Sequence, residues 1–133
     1  MVQRDSEAVD YVIHKAVEND VKFIRLWFTD ILGGLKGVAV TVEELESALT
    51  RGMGFDGSSI EGFARSNESD TYAFPDPTTF NILPWRPRTN AVARMFCDIL
   101  TPSGEPFDSD PRAVLKRNVK RAASLGYTYY LGP

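Results

Sequence analysis

The sequence is poor in the residues that most often carry chemistry. One cysteine, Cys97, and one histidine, His14, occur in 133 residues. A single cysteine excludes an internal disulfide and a cysteine-built zinc cluster. Cys97 sits in the apolar run 93–100 and reads as a packed thiol rather than a nucleophile. His14, between Ile13 and Lys15, reads as a helix-surface residue and does not support a Ser-His-Asp triad. No apolar run approaches the roughly 20 residues that a membrane-spanning helix needs. No basic excess exists: the net charge is −3, which disfavours nucleic acid and anionic lipid as partners. The opening Met1-Val2-Gln3-Arg4-Asp5 lacks a signal-peptide pattern. Repeats and low-complexity segments are missing too. What remains is the expectation of a cytoplasmic domain with a small-molecule or protein partner.

What is present describes a globular chain. Hydrophobic residues make up 43% and charged residues 25%, enough to bury one core. Val9, Val12, Ile13, Ala16 and Val17 recur at helical spacing over 6–19. Residues 21–28 and 35–40 are rich in β-branched and aromatic side chains and predict strands, joined as a hairpin through Gly33-Gly34. Thr41-Val42-Glu43-Glu44 is a capping box for a helix that runs to Arg51 and stops at Gly52.

Short strands are expected at 71–74 and 79–83 around Pro75-Asp76-Pro77, and a strong one at 91–100. Asp110-Pro111 opens a further helix with Asp as N-cap. Leu115, Val119, Ala122 and Ala123 are its expected buried face, and Gly126 its stop. Residues 127–131 read as the beginning of another strand, so that a longer parent chain is expected. Arg112, Lys116, Arg117, Lys120 and Arg121 read by default as a solvated basic face, with a subunit contact or a nucleotide phosphate as the alternatives. The order of elements predicts an α+β fold with helices packed on a mixed, largely antiparallel sheet.

Residues 52–70 show no clear period, contain four glycines, and read as a long loop. Such loops in compact domains are often functional. Gly52-x-Gly54-x-x-Gly57 has dinucleotide-fingerprint spacing but follows a helix, which removes its meaning. Asp56-Gly57-Ser58-Ser59 is by itself a common turn pattern. Its surroundings add Glu61, Glu68 and Asp70, with the aromatic Phe63 between small residues. Carboxylates, hydroxyls and an aromatic face suit a small cation such as ammonium. Four acids in a loop are also compatible with plain solvation.

Phe55-Asp56-Gly57-Ser58-Ser59 followed by Glu68-Ser69-Asp70 resembles the N-terminal signature of type I glutamine synthetases. Phe28-Thr29-Asp30, Gly33, Lys36, Phe74-Pro75-Asp76, Pro84-Trp85, Cys97-Asp98-Ile99, Pro106-Phe107 and Asp110-Pro111-Arg112 extend the resemblance over about residues 5–133. Ser66-Asn67 and Ala73 depart from it. The resemblance implies a β-grasp domain over 1–105, with 106–133 leading into a catalytic domain. It implies ATP-dependent ligation of ammonia to glutamate in a dodecamer, with active sites between subunits. ATP and Mg or Mn would then serve the full-length enzyme, and the 133-residue chain would bind none of them and lack synthetase activity.

By the same resemblance Asp56 is the catalytic base at the ammonium site and Ser59 its neighbour, while Asp70 and Phe63 contact substrate. The stretch 60–65 resembles the alpha subclass, where the position of Arg65 takes part in feedback inhibition by glutamine. A salt bridge from Arg65 to Glu61 or Glu68 is an equal reading of that arginine. Two alternatives stand beside these: a ligase for polyamines or other amines, and a β-grasp module with no catalytic role.

Overall fold

In the computed structural model, residues 6–61 and 70–132 are described. The chain opens with α1 (Ser6–Glu18), then β1 (Val21–Thr29) and β2 (Leu35–Thr41). A 3-10 turn at Val42–Glu44 leads into α2 (Leu45–Arg51), β3 (Met53–Asp56) and the one-turn α3 (Ser58–Glu61). Next come β4 (Asp70–Pro75), a 3-10 turn at Pro77–Thr79, β5 (Asn81–Ile82), β6 (Ala91–Leu100) and α4 (Pro111–Ser124).

The strands form one sheet in the order β2-β1-β6-β4-β3, with β5 also paired to β6. Among the described strands only β1 and β6 run parallel; the other ladders are antiparallel. The expected mixed, largely antiparallel α+β sheet is therefore the observed one. The parallel pair is aligned at its entrance by two non-glycine residues in the left-handed region, Asp20 (φ 50) and Asn90 (φ 52). The Asn90 N–H donates to the Asp20 carboxylate at 2.7 Å, and the Ala91 N–H to the Asp20 carbonyl at 2.9 Å. The Asn90 amide, ahead of the nearby Lys22, holds the Asp20 carboxyl below its ordinary value.

Alternation decides which side of the sheet is covered. Ile24, Leu26 and Phe28 of β1 and Ala93, Met95, Cys97 and Ile99 of β6 are buried in one cluster. Val9, Val12 and Ala16 of α1 and Leu45, Ala48 and Leu49 of α2 close over it. Each fully buried Leu, Ile or Met side chain there contributes roughly 1.5–3 kcal/mol of transfer free energy. The capping geometry is as the sequence predicts: the Glu44 carboxylate accepts from the Thr41 N–H at 3.1 Å, and Gly52 ends α2 at φ 74. Val17, though part of the apolar spacing of α1, is exposed.

On the other face, Trp27 of β1 stands opposite Gly37 of β2. A Cβ at position 37 would lie 2.8 Å from the indole Cδ1 and 2.6 Å from the Leu26 carbonyl oxygen. The glycine thus makes room for the ring. Phe96 packs edge-on to Trp27 at 5.8 Å, and the Arg94 guanidinium lies 4.8 Å from the Phe96 centroid.

Four expectations are corrected. Residues 52–70 are not one irregular loop: Met53–Asp56 is a strand and Ser58–Glu61 a helical turn. The strand expected at 79–83 shrinks to Asn81–Ile82, because Asp76 instead caps a 3-10 turn through the Thr78 N–H. No strand forms at 127–131, where Tyr127, Tyr129, Tyr130 and Leu131 are exposed and no described strand lies alongside. The face of α4 expected inside is largely outside: Leu115 is 51% and Val119 41% exposed, and Ala113 is its buried residue.

The ends of α4 do follow the sequence. The Asp110 carboxylate caps the Arg112 N–H at 3.0 Å. At the other end the Gly126 and Tyr127 amides reach back to the Ala123 and Ala122 carbonyls around a left-handed Gly126, a Schellman closure.

Candidate functional site

The acidic segment begins where β3 ends. Along β3 the chain alternates, with Met53 and Phe55 half-buried and Gly54 and Asp56 exposed. Phe55 stacks on Phe28 at 4.9 Å, and its carbonyl accepts the Thr71 hydroxyl at 3.1 Å. These contacts fix the strand end from below. The exposed set on the other side is Asp56, with Asp70 and Tyr72 of β4. The ladder places Asp56 directly opposite Asp70, and Gly54 opposite Tyr72. Like charges facing each other across a ladder are destabilising unless a cation sits between them.

After Asp56 the chain turns sharply. The Asp56 carboxylate accepts the Ser58 N–H at 2.9 Å, an Asx turn that starts α3. Within α3, Ile60 is fully buried and pins the turn to the core, while Ser59 is half-buried. The Ile31 N–H donates to the Ile60 carbonyl at 3.0 Å. The Lys36 ammonium donates to the Ser59 carbonyl at 2.7 Å and lies 3.4 Å from Asp30. Asp30 accepts from the Gly34 N–H at 2.6 Å and the Leu32 N–H at 3.1 Å. The Gly34 amide first, then Lys36, keeps its carboxyl below the ordinary carboxylate range.

Of the sequence-predicted site residues, Asp56 and Asp70 are brought face to face, with Ser59 three residues past Asp56 on α3. Phe63 and Arg65 lie outside the described residues, as do Glu68 and the side chain of Glu61. His14 is on the exposed side of α1, as expected. The basic face of α4 is partly docked rather than merely solvated. Arg112 spans Asp76 at 2.6 Å and Asp98 at 2.9 Å, and Lys116 meets Asp98 at 2.7 Å.

Two residues at the site received no role from the sequence. Tyr72 was visible as the i+2 neighbour of Asp70 on one strand face. Lys36 stood only as a match in the first hairpin, because its carbonyl partner on Ser59 is 23 residues away. Among the described residues no three His, Cys, Asp or Glu side chains are grouped to hold a metal ion. The described residues therefore do not form a metal cradle. Nor is any described helix long and apolar enough to cross a membrane.

Fold and site together define an α+β grasp domain that presents paired carboxylates at the end of a strand. Residues 20–102 match the family model described as glutamine synthetase, beta-Grasp domain, and the chain belongs to that family. A glutamine synthetase of Mycobacterium tuberculosis is 53% identical over 126 residues, which cover 93% of this chain and 28% of that protein. One from Methanosarcina mazei is 52% identical over 122 residues, covering 92% and 27%.

Solved structures agree. A GmaS–ADP complex superposes with a TM-score of 0.76 at 29% identity, covering 86% of this chain and 26% of that one. Plasmodium falciparum glutamine synthetase gives 0.75 at 25% identity, covering 93% and 23%. The chain spans little more than a quarter of the length of the curated relatives it matches.

Proposed function

We propose that this domain supplies the ammonium-site segment of an ATP-dependent glutamate–ammonia ligase. The observation that carries the reading is the register of β3 on β4, which sets Asp56 opposite Asp70 on the exposed face. Two carboxylates in that arrangement attract a small cation, and Tyr72 stands next to Asp70 on the same side. Asp56 takes a proton from ammonium, leaving ammonia free to attack an activated γ-carboxyl of glutamate. Ser59 adds a polar neighbour and Asp70 the second charge. Phe63 is assigned to an aromatic wall, and Arg65 to feedback by glutamine in an alpha-subclass enzyme.

The exposed position of Asp56 and Asp70 supports a site completed by other protein. In this reading it is the catalytic domain of a neighbouring subunit in a dodecamer, which binds ATP, Mg or Mn and glutamate. Residues 1–105 form the grasp unit and 106–133 lead toward the catalytic part, and the assembly works in the cytoplasm. The 133 residues alone have no synthetase activity.

Mixed assembly tests the shared site. Full-length subunits carrying Asp56→Ala are co-assembled with subunits inactivated outside residues 1–133. Activity in the mixture, with both parents inactive, is the expected result. Inactive mixtures that are correctly assembled contradict a site shared between subunits.

A further inference from the structure

We propose that the β1–β2 turn is a bracket that sets the position of the amine-site segment, with Lys36 as its positioning residue; this rests on the reading of Asp56 and Ser59 given above. The need for a bracket follows from how α3 meets the hairpin. Two successive backbone carbonyls of α3, those of Ser59 and Ile60, both accept from the β1–β2 hairpin, one from the Lys36 ammonium at 2.7 Å and one from the Ile31 amide at 3.0 Å.

The hairpin is shaped for this task. Asp30 folds the turn onto itself by accepting the Leu32 and Gly34 amides, and the same carboxylate lies 3.4 Å from Lys36. Gly34 has to be small there: a Cβ would fall 2.8 Å from Asp30 Oδ2. A bare Ser59 carbonyl needs only a donor. A lysine held by its own carboxylate gives a donor of fixed direction, and the bond to a charged group is stronger than a neutral one. The peptide so held lies beside the Ser59 side chain and one residue from the Ser58 amide that orients the Asp56 carboxylate. Lys36 therefore acts on the amine through the backbone of 58–60.

Lys36→Met and Lys36→Arg in the full-length enzyme test this, with Asp56→Asn as the reference. For Lys36→Met the KM for ammonium rises about five- to tenfold, the loss of one partly exposed charged hydrogen bond. The KM values for glutamate and ATP stay within about twofold, because this segment does not carry those sites. Lys36→Arg, which keeps a charged donor, recovers at least half of the effect on a logarithmic scale. Amide exchange at Ile31 speeds up in the Met variant and less in the Arg variant.

An unchanged ammonium KM in Lys36→Met, with Asp56→Asn impaired, overturns the bracket and leaves the site reading intact. Equal losses in all three KM values with a lowered melting temperature also overturn it, since Lys36 is then merely structural. Normal ammonium use by Asp56→Asn removes the site reading and the bracket with it.

Discussion

Asp56, the last residue of β3, is paired across the ladder with Asp70, the first residue of β4. Nothing in the described fold needs two negative charges there. Each is exposed, and Asp56 needs only an acceptor oxygen to hold the Ser58 amide. Asp70→Asn in the 133-residue chain is therefore expected to raise stability by a few tenths of a kcal/mol, roughly the scale of one cross-strand pair. Urea unfolding at low and high salt measures it. The gain shrinks as salt screens the repulsion.

Gly37 faces Trp27, and any side chain at 37 would meet the Leu26 carbonyl at 2.6 Å. Gly37→Ala is expected to cost about 1–3 kcal/mol, the usual penalty of overpacking. It also moves the indole off the strand, so near-ultraviolet circular dichroism changes along with the unfolding midpoint. A midpoint shift with an unchanged aromatic spectrum contradicts the packing described.

The α4 clamp sets a pH dependence. Burial pushes the Asp76 carboxyl up, but the Thr78 donors with Arg112 and Lys116 outweigh it, and the net direction is down. A carboxyl whose folded pKa is depressed contributes stability above its unfolded value and loses it as pH falls through the folded one. Stability should therefore decline below about pH 4, where unfolded carboxylates begin to protonate. Asp76→Asn should flatten that decline. Asp110 has the opposite sign: burial first raises its pKa, so its contribution is present below the unfolded value and is lost as pH rises through the folded one. Urea midpoints from pH 5 to pH 2 for both proteins check the direction.

Ile60 is the buried anchor of an otherwise polar segment. Ile60→Ala is expected to destabilise the chain by about 2–5 kcal/mol as a core truncation. Exchange at the Ser58 and Ile31 amides should rise more than exchange in β6. Uniform acceleration across the chain contradicts a local anchor.

The core was legible because its signals are local. The alternation of β1 and β6, the capping box at Thr41 and the Asp110-Pro111 start of α4 each rest on neighbouring residues, and each is where the pattern puts it. β3 was missed because four residues with a central Gly54 carry little periodicity, and its partner β4 lies across the acidic segment. The exposed stripe of Leu115 and Val119 followed helical spacing faithfully. Periodicity shows that a face is apolar; it does not show what covers it. At the candidate site, Asp56, Ser59 and Asp70 were singled out by the acidic composition of their segment and by the family resemblance. Lys36, a match in the sequence without a role, gained one only when the hairpin brought it to the Ser59 carbonyl, and Tyr72 joined the set once the ladder fixed the exposed face of β4.

The most direct test is the ammonium dependence of glutamine formation by the full-length protein carrying Asp56→Asn, with ATP binding measured in parallel. Loss of the base should lower kcat/KM for ammonium by at least about 100-fold, the lower end for a positioned proton acceptor, while ATP binds as before. A kcat/KM for ammonium within twofold of the unaltered protein would contradict the role given to Asp56.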